Sequence, residues 1–205
     1  MKKIVFTLAL MLGVVGVAQA QGDAEAGKAK AATCVACHGN DGNSPTDMYP
    51  KIAGQHASYL EKQLIEFKTG ATGGAGRANA IMAPMVMGLS AQDMADLAAF
   101  YASEAITPVA TPEEVIEAGA ALYRGGDLER GITACIACHS PRGEGLESAR
   151  FPRLSGQHPA YIKAQLLAFR SGERENDPNG MMRDIAKKLT DQDIEILSQY
   201  VAGLR

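Results

Sequence analysis

Apolar residues recur three and four positions apart in two stretches of the chain. The first is ASYLEKQLIEF at 57–67 and the second is AYIKAQLLAF at 160–169. This spacing places apolar side chains along one face of an α-helix. Runs with the two-residue alternation of β-strands are scarce. The pattern therefore predicts an all-α protein.

Polar residues predict where several helices begin. Ser90 with Asp93, and Thr190 with Asp193, have the spacing of capping boxes in which Asp replaces the usual Glu. The stretch TPEE at 111–114 reads as a Thr N-cap followed by Pro at the first helical position. The predicted order in each half is a helix, a Cys-x-x-Cys-His motif, a long loop, a helix, a loop and a last helix.

The two halves of the chain form a repeat. Matched positions lie 101 residues apart at the Cys-x-x-Cys-His motifs, 102 apart in the following helices and 100 apart at the capping boxes. The matches in the first half are Cys34, Cys37, His38, Pro50, Gly54, Gln55, His56, Tyr59, Gln63, Phe67, Ser90 and Asp93. So steady an offset indicates a duplicated unit. We predict an N-terminal unit at 21–105, a Pro- and Thr-containing linker at 106–112 and a C-terminal unit at 113–205.

The first twenty residues have the pattern of a secretory signal peptide. Lys2 and Lys3 precede an apolar run, and Ala18-Gln19-Ala20 resembles a cleavage site. The run is too short for a comfortable transmembrane helix, which needs about 20 residues. Cleavage after Ala20 would leave 185 of the 205 residues and, by removing two lysines, change the formal net charge from −3 to −5. We therefore expect an exported, periplasmic protein.

Charge and cysteine usage narrow the class further. Nucleic-acid binding depends on clustered Lys and Arg, and no such cluster stands out in this mildly acidic chain, so we predict no nucleic-acid partner. A basic or mixed-charge protein surface fits better. All four cysteines, Cys34, Cys37, Cys135 and Cys138, lie in the two motifs. Because bare thiols rarely persist after export, something must occupy them.

Three chemistries are compatible with a Cys-x-x-Cys motif. Zinc needs four ligands in a tetrahedron, and a Cys and the His directly after it seldom share one ion. A disulfide or thiol redox centre uses the two cysteines and leaves the adjacent histidine unexplained. Covalent attachment of a c-type haem uses all three residues, since the thiols bond to the porphyrin edge and the histidine ligates iron. We predict two covalently attached haems, with His38 and His139 as proximal ligands.

The second axial ligand determines whether the iron is closed to small molecules. A methionine thioether would close it and raise its potential. Met82 lies eight residues before Ser90, and Met182 lies eight before Thr190. We therefore predict Met82 and Met182 as ligands, while Met85, which has no counterpart, remains an alternative for the first iron. His56 and His158 are rivals, but both precede a helix, and a capping or surface role fits that position better.

Several stretches together resemble one family over essentially the whole mature chain. They are AKAATCVACHGNDGNSP, IAGQHASYLEKQL, LYRGG, CIACHSPRGEG, FPRLSGQHPAYIKAQL and YVAGLR. They are similar to the dihaem cytochrome c4 family, which has two tandem class I cytochrome c domains. The resemblance implies one His/Met haem per domain and approximate two-fold pseudosymmetry, with the propionate edges of the haems facing each other.

The resemblance also implies ligands and a role. Cys34, Cys37, His38 and Met82 would hold the first haem, and Cys135, Cys138, His139 and Met182 would hold the second. The protein would carry electrons in the periplasm, free or loosely held at the inner membrane, from a cytochrome bc-type donor towards a terminal haem-copper oxidase. Two alternatives are a dihaem peroxidase, which needs an open iron and an acid or base beside it, and a fixed redox subunit of a dehydrogenase.

Overall fold

A computed structural model describes residues 22–205, so the predicted signal peptide at 1–20 lies outside the described residues. Within them the chain forms ten α-helices and no β-strand, and the all-α prediction is confirmed. In the N-terminal unit the helices are α1 Ala24–Lys30, α2 Ala32–His38, α3 Ala57–Ala71, α4 Met82–Val86 and α5 Ala91–Ser103. In the C-terminal unit they are α6 Ile116–Gly125, α7 Ile136–His139, α8 Pro159–Ser171, α9 Met181–Ala186 and α10 Asp191–Ala202.

The last helix of each unit is the centre of its core. Helices α1 and α3 pack on α5, and α6 and α8 pack on α10. Both last helices begin at the predicted capping boxes, in which the hydroxyls of Ser90 and Thr190 accept from the third helical N–H. Phe100 and Tyr200 occupy equivalent positions in these helices and are 4% and 6% exposed. Burying a side chain of this size stabilises the fold by roughly 1.5–3 kcal/mol.

A glycine lies at each crossing between the first and last helices. A Cβ atom at Gly27 would lie 2.0 Å from the carbonyl oxygen of Asp96 and 2.9 Å from the Cβ of Phe100. A Cβ atom at Gly119 would lie 2.5 Å from the Cβ of Tyr200. The helices can approach this closely only because glycine has no side chain. The close crossing therefore explains the glycine at both positions.

The start of the C-terminal unit differs from the sequence prediction. Thr111 is not an N-cap: a 3-10 turn at Glu113–Val115 follows Pro112, and α6 begins at Ile116. The Thr111 hydroxyl instead donates to the carbonyl oxygen of Tyr200 at 3.5 Å. Residues 104–112 contain no helix. The unit boundaries 21–105, 106–112 and 113–205 stay predictions.

The two units contact each other through reciprocal hydrogen bonds. The Gln157 side chain accepts from the backbone N–H of Lys51 at 2.9 Å and donates to its carbonyl at 2.7 Å. The Gln55 side chain does the same with the backbone of Arg153, at 2.8 and 3.0 Å. Because Gln55 and Gln157 are equivalent in the repeat, this is the pattern of a two-fold axis. The predicted pseudosymmetry is confirmed.

Candidate haem-binding sites

The four cysteines lie in or beside the short helices α2 and α7. All four are half-buried free thiols. Burial raises the pKa of Cys34, and it raises the pKa of Cys135 to about 11. Redox-active thiols have a lowered pKa, so the raised pKa values of Cys34 and Cys135 do not fit a thiol redox centre. Free, half-buried sulfur atoms suit covalent bonding to a large apolar group.

The histidine of each motif is held by a carbonyl from the loop that follows it. His38 is the last residue of α2, and its Nδ1–H donates to the carbonyl oxygen of Pro50 at 2.8 Å. His139 is the last residue of α7, and its Nδ1–H donates to Pro152 at 2.9 Å. Since a carbonyl oxygen only accepts, the proton lies on Nδ1 and the Nε2 lone pair is free. A metal-ligating histidine usually has this arrangement.

Burial also sets the charge of these two imidazoles. His38 and His139 are 8% and 7% exposed. Desolvation lowers the pKa of each ring, and the hydrogen bond to the proline carbonyl opposes that change only in part. Both rings are therefore neutral at physiological pH, and the neutral ring is the form that ligates iron.

The methionines after α3 and α8 differ in exposure. Met82 begins α4 and is half-buried, whereas Met85 is 43% exposed and Met87 is 46% exposed. In the C-terminal unit Met182 is half-buried in α9, and Met181 is 38% exposed. The half-buried methionine in each segment is thus the one that the eight-residue spacing selected. Which of them ligates iron stays a prediction.

The methionines lie in two segments, residues 81–90 and 180–190, which we call the methionine segments. Equivalent contacts hold both segments against the long helices. Lys68 in α3 donates to the carbonyl oxygen of Leu89 at 2.5 Å, and Arg170 in α8 donates to that of Leu189 at 3.1 Å. The donors are 102 residues apart and the acceptors 100 apart, as in the rest of the repeat. Both cations fix the end of a methionine segment, and sequence reasoning missed both.

His56 and His158 face the opposite unit. Both occupy N-cap positions, as predicted, but neither side chain makes a capping hydrogen bond. His56 Nε2–H donates to the carbonyl oxygen of Glu144 at 2.8 Å, and His158 Nε2–H donates to that of Ser44 at 3.1 Å. Each ring is thus held against the opposite unit through its Nε2, and only Nδ1 keeps a lone pair. The geometry therefore disfavours the bis-histidine alternative.

Each unit thus presents the donors that a c-type haem requires. Two thiols stand close together on one turn, an imidazole offers a free Nε2, and a half-buried thioether follows the long helix. Thiols form the covalent attachment, and nitrogen and thioether sulfur are common axial ligands of low-spin haem iron. The residues present fit the group in both units.

Comparison with known proteins also indicates a c-type haem in each unit. A cytochrome c family profile matches the chain twice, at residues 24–103 and 116–205. Cytochrome c4 of Azotobacter vinelandii is 50% identical over 209 residues, covering all of both chains. The crystal structure of reduced cytochrome c4 from Pseudomonas stutzeri matches with a TM-score of 0.87 and 46% identity, covering 90% of this chain and all of that one.

A further relative has a more specific name. The thiosulfate dehydrogenase electron acceptor of Thiomonas intermedia is 39% identical over 181 residues, covering 85% of this chain and 79% of that protein. The cytochrome c4 relatives match at higher identity and over the full length. With two cytochrome c units in tandem, two covalently attached haems and the role of an electron carrier between redox partners, the chain belongs to the cytochrome c4 family.

Proposed function

We propose that this protein is a periplasmic dihaem electron carrier that receives electrons from a cytochrome bc-type donor and passes them towards a terminal haem-copper oxidase. The full-length likeness to cytochrome c4 and the signal-peptide pattern of residues 1–20 support this role. Within residues 22–205 no helix has the length and hydropathy to cross a membrane. The carrier acts free or loosely held at the inner membrane, and it does not bind nucleic acid.

The proposed ligands form two equivalent sets. The first haem is held by Cys34, Cys37, His38 and Met82, and the second by Cys135, Cys138, His139 and Met182. The observation that carries this assignment is the paired geometry of His38 and His139, whose Nδ1–H groups are bound by proline carbonyls at 2.8 and 2.9 Å. That hydrogen bond orients each ring and strengthens Nε2 as a donor.

Each side chain has a distinct part in electron transfer. The haem supplies reversible one-electron chemistry at iron. The thiols would hold the haem covalently, the imidazole would supply a nitrogen ligand to its iron, and the methionine would supply a sulfur ligand that excludes small molecules. An iron ligated by both histidine and methionine would have no free position for substrate, so we propose that the protein makes no substrate bond and is not an enzyme. This separates it from a dihaem peroxidase.

Mass and spectroscopy test the cofactor assignment together. The mature protein is expected to have the mass of the chain from Gln21 plus two haems, and oxidised samples are expected to have the absorption band of sulfur-ligated ferric haem. A mass with one haem or none would overturn the assignment of both Cys-x-x-Cys-His motifs. High-spin iron in one unit would instead support the peroxidase alternative.

Electron-exchange kinetics test the proposed partners. Stopped-flow mixing with a purified cytochrome bc-type complex and with a thiosulfate dehydrogenase compares the two donors, and mixing with a haem-copper oxidase tests the acceptor. We expect faster reduction by the bc-type complex and reoxidation by the oxidase. Faster reduction by thiosulfate dehydrogenase would make the chain an acceptor of the kind that its 39% identical relative is named for.

A further inference from the structure

The histidine of the first Cys-x-x-Cys-His motif is bonded to a peptide group that also binds the opposite unit. The carbonyl oxygen of Pro50, which accepts from His38 Nδ1–H at 2.8 Å, belongs to the same peptide group as the backbone N–H of Lys51. That N–H donates to Oε1 of Gln157 at 2.9 Å. One planar peptide group thus joins the imidazole of the N-terminal unit to a side chain of the C-terminal unit.

The equivalent peptide group of the C-terminal unit makes the same two hydrogen bonds. The carbonyl oxygen of Pro152 accepts from His139 Nδ1–H at 2.9 Å. The N–H of Arg153, in the same peptide group, donates to Oε1 of Gln55 at 2.8 Å. Each of the two glutamines is therefore connected, through one peptide group, to the histidine of the other unit.

Both glutamine side chains are held in one orientation. Gln55 and Gln157 are 8% and 6% exposed. The Oε1 of each also accepts from the next backbone N–H, at 3.1 Å for His56 and 3.0 Å for His158, and each Nε2 donates to a backbone carbonyl of the opposite unit. A flipped amide would place its NH₂ group against two N–H donors, so Oε1 is the atom that faces the peptide group.

A hydrogen bond at one end of a peptide group strengthens the bond at its other end. When the N–H donates, the carbonyl oxygen becomes a better acceptor, and such polarisation strengthens a bond by about 10–30% in a chain of hydrogen bonds. An imidazole whose Nδ1–H donates to a better acceptor has a more basic Nε2. A more basic axial ligand favours ferric over ferrous iron, because the ferric ion has one more positive charge. Each glutamine is therefore placed to lower the potential of the haem in the other unit.

We propose that Gln157 is a positioning residue for His38 and that Gln55 is one for His139, so that each unit adjusts the reduction potential of the other. This proposal rests on the ligation of iron by His38 and His139 under the proposed function, and it does not depend on which methionine is the second ligand. A change in the packing of the units would then alter both potentials without altering either Cys-x-x-Cys-His motif.

Redox titration of the holoprotein, followed by NMR of the haem methyl signals, measures the potential of each unit separately. Gln157→Leu keeps a side chain of similar size and removes both hydrogen bonds to the backbone of Lys51. We expect it to raise the potential of the N-terminal haem and to leave that of the C-terminal haem unchanged. Gln55→Leu is expected to do the reverse.

Tyr59→Phe is the matched control, because it removes a hydrogen bond between the units that involves neither proline peptide. The Tyr59 hydroxyl accepts from Arg174 at 3.0 Å, and in the same region between α3 and α8 the Tyr161 hydroxyl accepts from Arg77 at 3.3 Å. Both potentials are expected to stay unchanged in this variant.

A measurement on the wild-type protein tests the connection without any variant. In the reduced state, NMR is expected to detect scalar coupling across the hydrogen bond from the amide nitrogen of Lys51 to the side-chain carbonyl carbon of Gln157. If the corresponding couplings of helical hydrogen bonds are detected and this one is absent, the proposal is wrong for the N-terminal unit.

Three results with the variants would overturn the proposal. The first is an unchanged or lowered potential in the unit opposite each substituted glutamine. The second is a shift confined to the unit that supplies the glutamine. The third is an equal shift in Tyr59→Phe, which would assign the effect to a looser contact between the units.

The ligation of iron by histidine is tested separately. Hyperfine-shifted ring protons of His38 and His139 in the oxidised wild-type protein are expected if both rings bind iron. Their absence would contradict the proposed function and, with it, this proposal. Their presence together with unchanged potentials in the glutamine variants would contradict only the role of the glutamines.

Discussion

The methionine segments of the two units have the same place in the fold but are stabilised differently. In the N-terminal unit the neutral side chain of Asn79 accepts from the backbone N–H groups of Ile81 at 3.0 Å and Met82 at 2.9 Å. In the C-terminal unit the buried carboxylate of Asp177 accepts from the backbone N–H of Arg183 at 3.0 Å and from its Nε–H at 2.8 Å. An ionic contact in the C-terminal unit replaces a neutral one in the N-terminal unit. We therefore expect the C-terminal methionine segment to be the more stable against unfolding.

The cores of the units differ in the same direction. Within the described residues, the main buried cluster of the N-terminal unit contains Ala31, Leu97, Phe100 and Tyr101. That of the C-terminal unit contains Val115, Leu122, Tyr123, Ile132, Ile162, Leu189, Ile194, Leu197, Tyr200, Val201 and Ala202. A unit with less apolar burial of its own depends more on the haem for stability. The comparison predicts that the N-terminal unit loses its native iron ligation first.

Replacing the proposed methionine ligands gives the largest expected effect. Met82→Ala is expected to lower the potential of the first haem, open that iron to small ligands and remove the sulfur-to-iron band of that unit only. Met182→Ala should do the same in the C-terminal unit. Potentiometry and absorption of the oxidised protein measure both changes.

Met85→Ala is the matched control for the N-terminal unit. Met85 is 43% exposed, so its loss is expected to cost less than the roughly 2–5 kcal/mol of a fully buried methionine. If Met85→Ala loses the band and Met82→Ala keeps it, the eight-residue spacing selected the wrong methionine. If neither variant loses it, the first iron has another ligand and its inferred high potential is wrong as well.

The helix-crossing glycines give the next largest effect. In Gly27→Ala the new methyl group would lie 2.0 Å from the backbone oxygen of Asp96, and in Gly119→Ala it would lie 2.5 Å from the Cβ of Tyr200. Neither atom can move without shifting the last helix of its unit, so the shorter contact is the more severe. We expect Gly27→Ala to cost at least about 3 kcal/mol of unfolding free energy and Gly119→Ala about 1–3 kcal/mol. Urea unfolding followed by circular dichroism measures both. Equal losses would mean that the difference between contacts of 2.0 and 2.5 Å does not determine the cost.

Paired substitutions test the difference between the methionine segments. Asp177→Asn removes the charge that holds Arg183 and is expected to destabilise the C-terminal segment by roughly 1.5–3 kcal/mol. Asn79→Ala removes a neutral acceptor and is expected to cost the N-terminal segment about 1 kcal/mol. NMR signals of the iron-bound methionine methyl groups, followed through a urea titration, report each segment separately. A larger loss of stability in Asn79→Ala than in Asp177→Asn would contradict the expectation that the C-terminal methionine segment is the more stable.

Acid sensitivity gives the smallest effect. Lys30 binds Asp93 and Asp96, both at 2.7 Å, and Arg130 binds Asp193 at 2.6 Å. The Lys30 hydrogen bond lowers the pKa of Asp93, and the Asp23 N–H together with Lys30 lowers the pKa of Asp96 to about 2. Although burial acts to raise it, hydrogen bonds from Arg130 and Thr190 lower the pKa of Asp193. These lowered values stabilise the fold above the unfolded pKa of about 4, and that stability is lost as pH falls from 4 towards 2.

The urea midpoint of unfolding is expected to fall between pH 7 and pH 3. Removing Lys30 or Arg130 should therefore narrow this difference between the two midpoints. Lys30→Gln and Arg130→Gln are expected to narrow it to a similar extent, because Lys30 contacts Asp93 and Asp96 while Arg130 contacts Asp127 and Asp193. The control is Arg142→Gln, whose side chain is 64% exposed and binds Glu144. An equal response in the control would assign the effect to net charge and not to these ion pairs.

Local patterns predicted much of the fold. The spacing of apolar residues located α3 and α8, and the polar pairs at Ser90 and Thr190 located the starts of α5 and α10. These signals worked because a helix face and a capping box depend on residues within a few positions of each other. Thr111 failed because its hydroxyl binds the last helix, which is 89 residues away in sequence.

Contacts between the units were beyond sequence reasoning. Their recurrence in the repeat marked His56 and His158 as residues with a shared role. That role could not be predicted, because the acceptor of each Nε2–H group is a carbonyl oxygen of the opposite unit. Arg77 and Arg174 gave no such signal, since they are 97 residues apart where their neighbours are separated by 100 to 102. The loop after α3 differs in length from the loop after α8, so a comparison at a fixed offset does not align these two cations.

The reciprocal glutamine contacts have a consequence for how the duplicated units diverge. Gln55 contacts Arg153, and Gln157 contacts Lys51, through backbone atoms of the arginine and the lysine. The side chains at positions 51 and 153 can therefore change without breaking the symmetric hydrogen bonds. They have changed: the Lys51 ammonium binds Thr107 in the connecting segment, whereas the Arg153 guanidinium binds Ser155 in its own unit. In a dimer of identical chains every substitution occurs twice, but in one chain each copy varies alone. A symmetric frame built on main-chain atoms therefore lets the two halves evolve separate tasks.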